Sequence, residues 1–225
     1  MDGILIINKP AGMTSHDVVD RIRCFAGQRR VGHAGTLDPE ATGVLVILLG
    51  KATQLFEDMK ETQKEYIAGM KLGITTTTQD AWGERLTENT GLKIEEAAII
   101  ATLPKFRGRI TQIPPMFSAI KHKGQPLYKI ARSGQSVERQ PREVDIFELS
   151  LLSFDPERQE AILRVVCSSG TYIRTLCADI GAVLGVGAHM CSLRRTRVGE
   201  FSIDRAVLLD DFKNGMNVAD SLIVL

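Results

Sequence analysis

Asp38 lies in the run Gly32-His33-Ala34-Gly35-Thr36-Leu37-Asp38-Pro39-Glu40-Ala41-Thr42-Gly43, which carries three glycines between two apolar segments. Glycines so placed permit tight turns and close approach of a ligand to the backbone. A carboxylate presented there can attack a carbon centre, or stabilise positive charge developing on one. The same dipeptide has an ordinary structural use, with Asp38 as a helix N-cap and Pro39 in the first helical position. A second unusual run is Gly170-Thr171-Tyr172-Ile173-Arg174. Thr171 reads as the N-cap of a helix, which puts Arg174 in the first turn, where a cation opposes the helix dipole. Either Arg174 is a solvated surface residue, or a buried carboxylate compensates it.

Other chemistries lack their residues. The sequence has no P-loop lysine motif, no GxGxxG after a strand and no GxSxG elbow. Its four histidines, His16, His33, His122 and His189, do not have metal-ligand spacing.

The elements that must position these runs follow from hydrophobic period. Gly3 to Asn8 and Val44 to Leu49 read as buried strands. From Ser15, taken as an N-cap, Val18, Val19, Ile22, Phe25 and Ala26 lie on one helical face that ends before Gly27. Ala52 to Met59 gives a short amphipathic helix. Tyr66, Ala68, Met70 and Leu72 alternate as in a half-buried strand, which gives Tyr66 an ordinary core role. Thr75 to Gly91 is polar and reads as a loop or flexible insertion, and Glu95 to Leu103 as a helix. Arg107 to Arg142 reads as irregular, apart from a helix at Leu127 to Arg132. Val144 to Phe154 and Glu160 to Cys167 form a hairpin. Thr171 to Leu184 has the clearest 3.6-residue period, and a strand region from His189 to Phe201 and a short helix follow. Helices and strands neither alternate strictly nor segregate, so the expected class is α+β around a mixed, mostly antiparallel sheet flanked by helices. At 225 residues the chain is read as one domain, with an insertion-like segment over 75–142.

Formal net charge is only +1, but it is unevenly spread. Residues 101–142 carry nine Lys or Arg against Glu138, a local +8, while Glu200 to the end carries five acids against two bases. Such a basic segment is either a solvated face or a surface for an anionic ligand. The cysteines Cys24, Cys167, Cys177 and Cys191 form no CxxC pair, as in a reducing compartment. No apolar run approaches the ~20 residues of a membrane span. A cytoplasmic protein without membrane contact is expected.

The loop GHAGTLDPEATGVL closely resembles the catalytic loop of the TruB family of pseudouridine synthases. NKPAGMTSHDVV, KEY with Tyr66, PPMFSAIKHKGQPLYKIAR, SSGTYIRTL and SLRRTRVGEF resemble further family motifs, in the family's order, from Gly3 to Phe201. The resemblance implies a pseudouridine synthase fold with a central catalytic cleft, and isomerisation of uridine 55 in the T-loop of tRNA without metal or cofactor. It implies that Asp38 is the nucleophile, that Arg174 pairs with it, and that Tyr66 lies against the target base. His33, Tyr172 and Leu193 are then pocket residues. Lys9, Lys121, Lys123, Arg132, Arg194 and Arg195 become candidates for the RNA backbone.

Many members of this family carry a further RNA-binding module, often of the PUA type, after the catalytic domain. Only about two dozen residues follow Phe201, fewer than the ~50 a separate domain needs. The chain is therefore expected to grip tRNA with its catalytic domain alone, as a monomer and without a guide RNA. The rival reading is an RNA-binding or RNA-folding protein that uses the same cleft without chemistry.

Overall fold

The strand β1 (Gly3–Lys9) is apolar almost throughout because both of its faces are covered. In the structure, a computed structural model that describes residues 1–89, 91, 93–118 and 120–224 and all of their side chains but Lys60 and Arg132, β1 is followed by α1 (Ser15–Ala26), β2 (Val31–Ala34) and β3 (Thr42–Leu49). A 3₁₀ turn over Gly50–Leu55 leads into α2 (Phe56–Lys60) and β4 (Lys64–Leu72). β1 pairs antiparallel with β3 from Gly3 opposite Leu49 to Lys9 opposite Gly43. Leu5, Ile7, Leu45, Ile47 and Leu49 meet Val18, Val19 and Ile22 of α1 on one side. Ile4, Ile6, Val44, Val46 and Leu48 form a second core with Ala34 and Ala52 on the other. Each buried aliphatic side chain contributes about 1.5–3 kcal/mol, so this two-sided strand pair is a rigid base for whatever its ends carry.

The cap of α1 falls one residue earlier than Ser15. Thr14 and Asp17 form a capping box, each side chain taking the other's backbone N–H. That leaves the buried Ser15 hydroxyl for a different use, described below.

The next stretch holds β5 (Ile74–Thr76), β6 (Arg85–Glu88), α3 (Glu96–Thr102) and β7 (Gly108–Gln112). After it come the two-residue strands β8 (Lys121–His122) and β9 (Gln125–Pro126), then α4 (Leu127–Arg132). β10 (Arg142–Asp155), β11 (Glu160–Cys167), α5 (Ile173–Val183) and β12 (Ala188–Val198) follow. β13 (Phe201–Ser202), β14 (Val207–Leu208) and α6 (Leu209–Lys213) close the chain.

The residues group into two compact units, 1–67 with 193–225, and 68–192. The boundaries fall inside β4 and inside β12. In the first unit the strand order is β14, β1, β3, β12, with β2 on β3 and β13 on β12; β14 runs parallel to β1 and β12 parallel to β3. In the second the order is β4, β11, β10, β7, with both β10 pairings antiparallel. The expected α+β class with a mixed, mostly antiparallel sheet is what forms.

Two segments differ from expectation. Thr75 to Gly91 contains an ordered hairpin, β5–β6, in which Thr75 and Thr87 hydroxyls meet at 2.6 Å; β-branched threonines suit a strand better than their polarity suggests. Residues 108–112, taken as irregular, form β7 on the edge of β10. Among the described residues no helix is long and apolar enough to cross a membrane.

Candidate active site

The loop that joins β2 to β3 is fixed through its backbone. Five consecutive carbonyls, Gly35 to Pro39, all accept hydrogen bonds. Arg195 Nη2 donates to Gly35 O at 2.9 Å, Arg195 Nη1 to Thr36 O at 3.4 Å, and Ser15 Oγ to Leu37 O at 3.1 Å. Ala41 N donates to Asp38 O at 3.1 Å and Lys9 Nζ to Pro39 O at 2.7 Å. Leu37 N returns a bond to Ser15 Oγ, and Arg195 Nε reaches Val44 O. The Asp38–Ala41 bond closes a β-turn with Pro39 in its second position, where its fixed φ is favoured. No helix follows, so Asp38 is not an N-cap; its backbone is pinned and its side chain is partly exposed. Gly43 lets β12 approach, since it has φ +100° and a Cβ there would stand 2.1 Å from Arg195 O.

These contacts correct two expectations. Lys9 and Arg195 are 0% exposed. The three ammonium donors of Lys9 go to the carbonyls of Pro10, Met13 and Pro39, and Arg195 is committed as described. Neither is placed to meet an RNA phosphate; both hold the loop, because the loop's inward-turned carbonyls need donors that water cannot supply. Arg194, the next residue, is exposed and keeps its backbone-contact role as a candidate.

Burial lowers the Lys9 pKa to about 8, with nearby Glu40 and Asp38 opposing the shift. His33, on β2, is held below the ordinary imidazole range by burial first, then by Arg195 and His16, and so is neutral at neutral pH. Its Nδ1 is buried and has no hydrogen-bond partner among the described residues. Tyr66 is buried on β4, and Leu193 is half-buried on β12, its carbonyl accepting from Thr42 Oγ1 at 3.4 Å. The first unit thus holds Asp38, His33, Tyr66 and Leu193.

The second unit holds Arg174 and Tyr172. Arg174 lies in the first turn of α5, whose N-cap is Tyr172, one residue later than Thr171. Gln112 of β7 pairs with the Tyr172 backbone in both directions, at 3.2 and 3.0 Å. The Arg174 guanidinium lies 6.0 Å from the Tyr172 ring centroid. It is buried, and the carboxylate that compensates it in this unit is Asp80: Nη1 to Oδ2 is 3.3 Å, while Nη2 donates to Phe117 O at 2.7 Å. Asp80 is itself buried, its Oδ1 accepting from Thr78 Oγ1 and Trp82 N. Sequence reading missed Asp80 and Gln112. The one available signal was the demand of Arg174 for a buried acid, which did not say which acid.

Lys121 and Lys123 are exposed on the β8–β9 hairpin, as phosphate contacts require. The Arg132 side chain lies outside the described residues. A depression of about 360 Å³ in the second unit, lined by Lys93, Glu95, Glu96 and Glu157 among others, shares no residue with the Arg174 cluster and is too acidic to suit RNA. Among the described residues no three His, Cys, Asp or Glu side chains group as metal ligands.

Comparison with known proteins agrees with the sequence motifs. The N-terminal domain of the TruB family pseudouridylate synthases matches residues 23–173, and the tRNA pseudouridylate synthase B C-terminal domain matches 174–222. The chain is 49% identical to tRNA pseudouridine synthase B of Geotalea uraniireducens, over 96% of this chain and 69% of that one. It is 50% identical to the protein of that name from Thermobifida fusca, over 93% and 74%. Among solved structures, a chain of a Cbf5–Nop10–Gar1 complex superposes with a TM-score of 0.73 at 34% identity, over 93% of this chain and 53% of that one. A chain of an H/ACA RNP bound to a substrate RNA gives 0.71 at 29%, over 97% and 57%. The chain belongs to the TruB family of pseudouridine synthases.

Proposed function

We propose that this protein isomerises uridine to pseudouridine at position 55 in the T-loop of tRNA, with Asp38 as the nucleophilic carboxylate. The observation that carries the reading is the loop itself. Its five anchored carbonyls hold one acid on a rigid turn at the end of a strand pair, as a preorganised reactive group requires. The relatives named above supply the substrate class.

Isomerisation breaks the bond between ribose C1′ and uracil N1, rotates the base and joins C5 to C1′, after which C5 loses its proton. Asp38 either bonds to a carbon of the nucleotide or stabilises charge on the ribose while the base turns. In this reading Arg174 is the cation that pairs with Asp38 and aims it. Tyr66 lies against the base and assists removal of the C5 proton. His33, Tyr172 and Leu193 line the pocket. Taking the uridine out of its stack costs a few kcal/mol, which stacking against neutral His33 and apolar contact with Leu193 offset. The exposed Lys121, Lys123 and Arg194, with Arg132, are assigned to the phosphates. The chain acts as one catalytic domain in the cytoplasm, as a monomer on tRNA alone. Its nearly 50% identity to tRNA enzymes, against 34% to the Cbf5 complex, supports a substrate read without a guide.

The test uses an unmodified tRNA transcript, with pseudouridine mapped by site. Wild-type protein should modify the T-loop uridine, and Asp38→Ala should bind the transcript but yield no product, a rate loss of roughly 10³-fold or more. Wild-type protein that binds and never modifies RNA would make the chain a binder and sink the mechanism.

A further inference from the structure

Trp82 is the chain's single tryptophan and is 54% exposed. It lies between β5 and β6 in a tightly bonded turn. Thr77 N donates to Glu84 O at 2.9 Å, Glu84 N to Thr77 Oγ1 at 3.1 Å and Gly83 N to Asp80 O at 3.4 Å. Trp82 N donates to Asp80 Oδ1 at 3.1 Å, and the other oxygen of that carboxylate receives Arg174 Nη1 at 3.3 Å. The backbone under the indole is therefore fixed to the group that holds the candidate catalytic arginine. The ring pairs with no other aromatic ring and no cation among the described residues; the ring contacts found are Phe25 with Phe212 and Arg174 with Tyr172.

An indole left largely in water forgoes much of its hydrophobic stabilisation. The bonds of this turn use only the backbone of Trp82 and would be met by a small side chain at this position. The hairpin carries Asp80, Glu84 and Glu88 against Arg85 alone, and Arg85 is spent on Glu88, so a phosphate is not the ligand it suits. An uncharged aromatic face is. When the target uridine leaves its stack, a neighbouring nucleobase loses a stacking partner, and an indole held in place can replace it. We infer that Trp82 is a substrate-contact residue that stacks on a nucleobase of the RNA beside the flipped uridine. This inference deepens the synthase reading and rests on RNA being the substrate.

A single tryptophan makes the test direct. Adding unmodified tRNA to the full chain should quench the emission and shield the indole from acrylamide. Trp82→Ala should raise KM roughly 5- to 100-fold, the range of one base–aromatic stack, with kcat unchanged. Trp82→Phe should restore most of that loss, which a merely structural role for the indole would not predict. Melting temperatures should stay at wild type, because the bonds of the turn are made by the backbone and by Asp80. If RNA is bound and modified while the emission and its accessibility do not change, stacking is wrong and the synthase reading stands. If the emission is quenched and no pseudouridine forms, stacking stands and the synthase reading falls. A Trp82→Ala variant with wild-type KM also overturns the inference.

Discussion

Around Asp38, two buried cations support an acid; around Arg174, a buried acid supports a cation. Lys9 and Arg195 spend their donors on backbone carbonyls, among them Gly35, Thr36 and Pro39 of the loop that carries Asp38. Asp80 spends one oxygen on Arg174 and the other on the turn that holds it. The two supports work by different physics. A cation that satisfies neutral carbonyls leaves the sign of the local field positive, which suits an ionised carboxylate above it. A carboxylate facing a guanidinium cancels the charge it holds, and the pair is stable only while both members are present. Electrostatic support in this protein is therefore opposite in sign to the group it presents.

Three experiments sharpen or break that contrast, the most damaging first. Arg195→Met should strip donors from two loop carbonyls and from Val44 O of β3 and destabilise the fold by roughly 3–5 kcal/mol, read as a shift in urea midpoint. A wild-type midpoint would mean the loop holds itself. Asp80→Asn should cost less, about 2–3 kcal/mol, because the amide oxygen still accepts from the turn while Arg174 loses its charged partner. It should also lower kcat, and an unchanged kcat would show that Asp80 only packs.

Lys9→Met gives the smallest effect, seen as a slope with pH. Lys9 sheds its proton at about pH 8 in the fold but near 10.4 in the unfolded chain. Between those values the unfolded state binds more protons, so this residue's contribution to stability rises with pH. Wild-type stability minus that of Lys9→Met should climb from pH 8 to about 10. A flat line across that window, with a fall only above about pH 10, would mean the buried ammonium is stabilised by its carbonyls and acids beyond the cost of burial.

What the sequence revealed, and what it hid, divides along the same lines. The apolar runs of β1 and β3 and the period of α5 are local patterns, and they give the elements with ends off by a residue or two. Asp38 is visible because glycines and a proline crowd around it. Its family role comes from motif resemblance, since Asp-Pro alone fits a helix cap as well. Asp80 was hidden because its partner lies 94 residues away and its own neighbours, a run of threonines, read as loop. Lys9 and Arg195 were misread as phosphate contacts because charge normally means solvent. The carbonyls that engage them include ones 30 residues from Lys9 and 160 residues from Arg195 in the chain.

That last separation has a consequence for how the protein is made. The loop around Asp38 leaves the ribosome about 160 residues before Arg195 does, a wait on the order of ten seconds at ordinary translation speeds. Throughout that interval the nascent loop has Lys9 and Ser15 but no guanidinium for Gly35, Thr36 and Val44. The turn that presents Asp38 therefore acquires its final geometry late in synthesis, when β12 arrives, and a chain stalled before residue 195 carries the acid on a turn that lacks the guanidinium's hydrogen bonds.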